Sequence, residues 1–149
     1  MRTDELKAQI EFGLENLDKI HGNIKRFTAK ESEEDFKLSA LAYECMGYYN
    51  AIEHLIVRVL KFSKIEIPSG AYSHRDTLNA FQATIAATAL EPALFKTLSD
   101  LMSFRHVATK IYGFLLSPEK LQRLIDQILD DHDRIKQLFG FDDTAANQN

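Results

Sequence analysis

The chain has 149 residues, of which 45% are hydrophobic and 27% charged, and its formal net charge is −4. Such a length is typical of one globular domain, and the acidic balance argues against a protein that coats nucleic acid or an anionic membrane through its overall field. Cys45 is the single cysteine, which excludes an internal disulfide and a cysteine-rich zinc site. We expect a cytoplasmic protein, because the N-terminus lacks a signal-peptide pattern and no apolar run approaches the ~18 residues that span a bilayer.

Apolar residues recur at intervals of three, four or seven along the first 64 residues, which is typical of amphipathic helices. The pattern predicts a first helix over residues 4–27. A second helix follows over residues 33–64, with Ser32 as its expected cap. The short polar connection between them indicates an antiparallel pair.

Pro68 and Gly70 break the pattern over residues 65–72, which predicts the longest loop inside the domain. Three further helices are expected over residues 76–90, 92–112 and 118–139, the last capped by Ser117. No alternating strand pattern is present. The sequence therefore predicts an all-α antiparallel bundle of about five helices, forming one domain over residues 1–141 with a frayed polar tail over 142–149.

The fourth helix carries the residues of greatest chemical interest. At about 100° per residue, its apolar positions share one face that we expect to be buried: Phe104, Val107 and Ala108. Arg105 and Tyr112 lie on the opposite face, and His106 and Lys110 form an i, i+4 pair along the adjoining edge. The cations and the phenol would then share one exposed strip. A solvated face whose charges serve solubility is the alternative interpretation.

Residues 104–113, FRHVATKIYG, resemble the signature of the HepT-like branch of the HEPN ribonuclease toxins. That signature has Arg, four intervening residues, His, one residue, then Tyr. Upstream, YYNAIE over residues 48–53 is similar to the family's YNGIE helix, and the Pro-Ser-Gly loop over 68–70 precedes His74 and Arg75 in the family's order. The resemblance covers roughly residues 41–141.

This resemblance implies a HEPN-like helical homodimer, or a higher even oligomer, that cuts RNA without a metal or other cofactor. The two signature helices would meet across a composite cleft, and a nucleotidyltransferase antitoxin would be the partner. Arg105 would hold the scissile phosphate, and Tyr112 matches a tyrosine that the antitoxin can adenylylate. No membrane or DNA partner is expected.

Lys110 occupies the position of the family's catalytic histidine. A lysine ammonium is a poor base at neutral pH, so three interpretations remain. Lys110 is a phosphate clamp or proton donor, His106 supplies the imidazole, or the site is degenerate. Two functions therefore compete: a toxin ribonuclease, and a non-catalytic partner or substrate-binding subunit of a nucleotidyltransferase.

Several other polar residues are accessory candidates. His74 and Arg75 would line the same cleft, although His74 could equally cap a helix. Asn50 and Glu53 would orient the signature residues or merely satisfy buried polar groups. The DDHD run over residues 130–133 predicts a solvated charge run rather than a metal site. We interpret the remaining candidates as core residues: Cys45, Tyr48 and Tyr49, the tyrosines alternatively lying at a dimer seam.

Overall fold

The computed structural model describes residues 3–85, 90–110 and 117–140, which form a bundle of α-helices. Five helices occur there: Thr3–Ala29 (α1), Glu34–Phe62 (α2), Ser73–Thr84 (α3), Pro92–Ala108 (α4) and Pro118–Phe139 (α5). No strand occurs within these ranges. The predicted all-α class and the number of helices are confirmed. Tyr112 and the expected frayed tail over residues 142–149 lie outside the described residues.

α2 is the central helix and packs against each of the other four. It runs antiparallel to α1, because Gly13 of α1 lies against Leu55 while Asn23, further along α1, donates a hydrogen bond to Glu44. A Cβ atom at Gly13 would lie 2.5 Å from Leu55 Cδ2, so glycine permits this close approach. The predicted core positions are confirmed as fully buried: Cys45, Tyr48 and Tyr49.

The two predicted helix caps have different outcomes. Ser117 caps α5 as expected, since its Oγ accepts a hydrogen bond from the backbone N–H of Lys120 at 3.3 Å. Ser32 does not cap α2, which begins after Glu33 without a side-chain cap. The acidic side chains of Glu34 and Asp35 instead lie in the first turn, where the helix dipole favours negative charge.

α3 lies earlier in the chain than predicted, at residues 73–84 rather than 76–90. Gly70 has a φ of 101°, and the turn that it permits lets Ser73 N–H donate to the Gly70 carbonyl at 3.2 Å. The helix can therefore begin at Ser73. It ends at Thr84, and the backbone of the β-branched Ile85 that follows is extended.

α4 ends at Ala108, short of the predicted residue 112 within the described part of the chain. The Thr109 hydroxyl donates to the His106 carbonyl at 2.9 Å, and Lys110 N–H bonds to the Val107 carbonyl three residues back. This tight turn competes with the helical pattern. Val107, expected to be buried, is 48% exposed.

The predicted solvated charge run over residues 130–133 is wrong for its two central residues. His132 is 4% exposed, and its Nε2–H donates to Asp18 Oδ1 at 2.8 Å while its Nδ1 accepts from the Tyr48 hydroxyl at 2.8 Å. The ring also stacks on His21, with centroids 3.7 Å apart. His132 therefore ties α5 to α1 and α2, and its partners lie too far away in sequence for spacing to reveal them.

Asp131 makes a second buried polar contact on α5. It is 6% exposed, accepts a hydrogen bond from the Thr97 hydroxyl at 2.7 Å and pairs with Arg134. A buried carboxylate needs such partners because its desolvation is costly. Asp131 thus joins α5 to α4. None of the described helices combines the length and apolarity that a bilayer crossing requires.

The pH dependence of stability follows from Asp18. Burial raises the pKa of its carboxyl, but hydrogen bonds from His132 and Lys136 outweigh burial and hold the pKa below its ordinary value of 3.8. A lowered pKa means that the carboxylate stabilises the fold above pH 3.8, and that this stabilisation is lost as pH falls through the folded-state pKa.

We predict that Asp18→Asn lowers the free energy of unfolding by about 1 kcal/mol at neutral pH, a value reduced because the side chain is half exposed. Urea denaturation should show the difference from wild type shrinking below pH 3.8. Asp130→Asn, on an exposed acid of α5, is the matched control and should behave as wild type. An equal deficit at neutral and strongly acidic pH would contradict this role.

Candidate functional site

Arg105 lies in the last turn of α4 and is held by α2. Its Nε–H donates a hydrogen bond to Asn50 Oδ1 in the middle of α2. The Arg105 side chain is partly buried. Because the amide of Asn50 is neutral, it orients the guanidinium without cancelling its positive charge. The two terminal nitrogens of Arg105 carry four N–H groups. One of them points to His74, which leaves three for a ligand.

His74 lies in the first turn of α3, between Glu53 and Arg105. Its Nδ1–H donates to the two Glu53 carboxylate oxygens at 2.9 and 2.8 Å. Nε2 is 3.4 Å from Arg105 Nη1 and accepts from it. A proton on Nδ1 leaves Nε2 as the acceptor for Arg105, so the Glu53 carboxylate favours this tautomer of the imidazole.

Local structure explains why these side chains converge. Asn50 and Glu53 are three residues apart on α2 and therefore lie on the same side of that helix. The turn at Gly70 starts α3 early enough to place His74 in its first turn, against α2. Together with Arg105, three helices supply a four-residue group that we call the Arg105 cluster: Asn50, Glu53, His74 and Arg105.

Tyr49 belongs to the surroundings of the Arg105 cluster, although the sequence indicated only a core residue. Its hydroxyl is buried and has no hydrogen-bond partner among the described residues. Burial raises the pKa of this phenol, and the Glu53 carboxylate raises it further, while the charge of Arg105 lowers it. Tyr49 therefore remains a neutral phenol beside the cluster. An unpaired buried hydroxyl was not predictable from helical spacing.

His106 and Lys110 form a separate, exposed pair. Lys110 Nζ donates to His106 Nε2 at 3.2 Å. No hydrogen bond between described residues joins this pair to the Arg105 cluster: His106 and Lys110 are exposed, whereas Arg105 is partly buried and bonds to Asn50 of α2. Arg75 contacts a different group, with its guanidinium 5.9 Å from the centroid of the Tyr72 ring. Tyr112 lies outside the described residues.

A groove of about 740 Å³ lies between α4 and α5, on another side of α4. Phe104, Val107, Lys120 and Arg123 contribute to its described lining, which contains no member of the Arg105 cluster. The Arg105 cluster therefore lies outside this groove. Among the described residues, no group of three or more His, Cys, Asp or Glu is placed to hold a metal ion.

Residues 40–140 match the family model described as HepT-like protein. The chain belongs to the HepT-like family of HEPN-domain proteins. No curated protein and no solved structure matches it. All four residues of the Arg105 cluster and both members of the His106 and Lys110 pair lie inside the region that matches the HepT-like model.

In this HepT-like protein, the Arg105 cluster combines an anion-binding group with a proton acceptor. The guanidinium offers planar donors that suit a phosphate. His74 offers an imidazole nitrogen whose orientation is set by a carboxylate, as in triads where a base is held by a third group. The exposed His106 and Lys110 pair adds a second cationic group a short distance along the chain.

Proposed function

We propose that the protein is a homodimeric toxin that cleaves RNA without a metal ion and is silenced by a nucleotidyltransferase antitoxin. Membership of the HepT-like family supports the class of function. The observation that carries the chemistry is the Glu53, His74 and Arg105 arrangement, in which a carboxylate orients an imidazole next to a guanidinium.

The proposed reaction uses His74 as the general base, in place of the histidine that Lys110 replaces. When a phosphodiester binds Arg105, an N–H turns from His74 Nε2 to the phosphate and frees the nitrogen lone pair. Nε2 then takes the proton of the ribose 2′-hydroxyl, whose oxygen forms a bond to phosphorus. The bond from phosphorus to the 5′-oxygen breaks, and the leaving oxygen takes a proton from Lys110 or His106.

Electrostatics supports a small RNA contact rather than an extended one. The net charge of −4 leaves only local cations to meet the phosphates: Arg75, Arg105, His106 and Lys110. Binding to a few phosphates releases few counterions, so the dependence of affinity on salt is shallow. The hydrogen bonds from Arg105 to the phosphate would strengthen as negative charge develops on it in the transition state, and donors of this kind accelerate a reaction in that way.

We predict that His74→Ala lowers metal-free RNA cleavage by about a hundredfold or more, as loss of a general base does. Arg105→Ala should lower it by a similar factor. Cleavage of a labelled RNA measures both, and circular dichroism checks that each variant folds. His54→Ala, which changes an exposed histidine of α2, is the matched control.

His106→Ala separates the two candidate bases. If His106 rather than His74 supplies the imidazole, His106→Ala should be the more damaging variant. Equal activity of wild type and His74→Ala would refute the assignment of the base, while leaving the contribution of Arg105 to be judged from Arg105→Ala.

The substitution Lys110→His restores the family's residue and tests how far the site is degenerate. We expect it to raise cleavage above wild type, because an imidazole can exchange a proton near neutral pH where an ammonium cannot. The readout is single-turnover cleavage in the absence of added metal. If the wild-type protein does not cleave RNA but Lys110→His does, the natural protein is an enzyme silenced by the lysine.

The second candidate function is a non-catalytic partner or substrate-binding subunit of a nucleotidyltransferase. Lys110 in the motif position favours it, since binding needs no base. If wild type and Lys110→His are both inert in a verified dimer, the ribonuclease proposal fails and this candidate replaces it. Adenylylation of Tyr112 by the nucleotidyltransferase would fit either function.

A further inference from the structure

Tyr72 presents an aromatic ring to solvent immediately before α3, the helix that carries His74. The residue is 68% exposed, and its side chain makes no capping hydrogen bond to the helix. Its backbone is held on both sides, because the Tyr72 carbonyl accepts from the Asp76 N–H at 2.9 Å and the next residue, Ser73, donates to Gly70. The ring therefore projects from a fixed helix start rather than from the middle of a loop.

Arg75 covers one face of the Tyr72 ring. Its guanidinium carbon lies over the ring at 5.9 Å from the centroid, a distance at which a cation is attracted to the face of an aromatic group. Arg75 is exposed and forms no ion pair with any residue that the structure describes. Since Tyr72 is mostly exposed although the guanidinium lies over one face, the opposite face is open to solvent.

The Tyr72 ring is near the Arg105 cluster. The Cα atoms of Tyr72 and His74 are at most about 7 Å apart, because two residues of a chain span no more than this. His74 Nε2 is in turn 3.4 Å from Arg105 Nη1. Residues two apart do not face each other on a helix, so the ring lies to one side of the reacting atoms. A strand whose phosphate binds Arg105 can therefore place a neighbouring nucleotide against Tyr72.

The charges beside the ring favour a base over a phosphate. Arg75 and Asp76 follow Tyr72 by three and four positions, so both lie on the same side of α3 as the ring. Their opposite charges offset each other, whereas a phosphate is attracted where positive charge is in excess, as at Arg105. A nucleobase is uncharged, and it stacks on aromatic rings and on the plane of an arginine guanidinium.

We infer that Tyr72 and Arg75 form a stacking subsite for one unpaired base of the RNA strand. The base lies on the open face of Tyr72, opposite the guanidinium of Arg75. The subsite rests on the proposed function, since it serves the strand whose phosphate Arg105 holds. A base inside a duplex is paired and stacked on its neighbours, so it has no free face to offer. The subsite therefore gives the site a preference for single-stranded RNA.

The arrangement also gives the direction of the strand. In the proposed reaction, His74 takes a proton from the ribose on the 5′ side of the scissile phosphate. The leaving oxygen is on the 3′ side and meets Lys110 or His106 near the end of α4. Because His74 and Tyr72 both lie at the start of α3, the stacked base belongs to a nucleotide on the 5′ side of the scissile phosphate.

Binding to an uncleavable strand tests the subsite without any need for catalysis. The probe is a fluorescent RNA single strand in which fluorine replaces every 2′-hydroxyl. Tyr72→Ala should raise its dissociation constant about tenfold, as loss of one stack between a base and an aromatic ring does. Tyr72→Phe keeps the ring and should bind as wild type. Phe12→Ala, at an exposed aromatic residue of α1, is the matched control and should also bind as wild type.

Four results of this binding measurement would overturn the subsite. The first is a wild-type protein that does not bind the single strand, and the second is equal affinity of wild type and Tyr72→Ala. The third is an equal loss for the single strand and for its duplex, which would mean that Tyr72 contacts the nucleic-acid backbone. The fourth is a change in the sedimentation of Tyr72→Ala, which would assign the ring to a protein contact.

A DNA strand with a single ribonucleotide tests the direction, because only one 2′-hydroxyl can then attack. An abasic site is placed in turn at each of the two nucleotides on either side of the scissile phosphate. We expect kcat/KM of the wild-type protein to fall about tenfold for one of the 5′ positions and to be unchanged for both 3′ positions. In Tyr72→Ala the 5′ effect should vanish, since the base has lost its partner. A 5′ effect that persists in this variant, or a loss on the 3′ side alone, would contradict the assignment.

The outcomes separate the stacking subsite from the proposed function. A protein that binds the uncleavable strand through Tyr72 but cleaves no RNA supports the subsite and counts against the ribonuclease. A protein that cleaves RNA, and whose Tyr72→Ala variant binds the single strand as tightly as wild type, overturns the subsite and leaves the ribonuclease proposal standing.

Discussion

The candidate site depends on how Arg105 is held. Its partly buried guanidinium needs hydrogen-bond acceptors, but a carboxylate bound directly to it would neutralise the charge that an anionic ligand needs. Asn50 accepts from its Nε, and His74 accepts from its Nη1. Neither acceptor is a carboxylate, because the carboxylate of Glu53 is one step removed, behind the imidazole. The charge of Arg105 therefore remains available to an anion, and α2, α3 and α4 together supply the groups that hold it.

The rest of the bundle holds those three helices in place. His132 connects α5 to Asp18 on α1 and to Tyr48 on α2, and Asp131 connects α5 to Thr97 on α4. Buried polar contacts of this kind are costly when one partner is missing, and therefore favour one arrangement of the helices. The helix that carries Arg105 is thus anchored through Thr97, far from the open surface where the chemistry is proposed.

Hydrophobic periodicity was sufficient to predict the five helices, because each buries one apolar stripe against α2 or its neighbours. Their ends were harder to predict. α3 ends before an extended Ile85, and α4 ends in a tight turn over residues 107–110, and helical spacing does not encode either backbone geometry. Helical spacing predicts a solvated His132, because its actual partners are 84 and 114 positions away in sequence.

The members of the Arg105 cluster were all candidates from the resemblance, but spacing could not pair Asn50 with Arg105 or Glu53 with His74. Those contacts cross between helices and depend on the turn at Gly70. Spacing also suggested that Arg105, His106 and Lys110 would act together, whereas the Asn50 contact turns Arg105 away. The tertiary contacts thus reassign the proposed base from the motif to α3.

The central claim is that Glu53 fixes the tautomer of His74 so that Nε2 is a proton acceptor beside Arg105. Nitrogen NMR of the two imidazole nitrogens of His74, in the full-length protein at mildly alkaline pH, tests this directly. The account predicts a proton on Nδ1 and a bare Nε2, and an increased fraction of the other tautomer in Glu53→Gln. A proton found on Nε2 in the wild-type protein would contradict it.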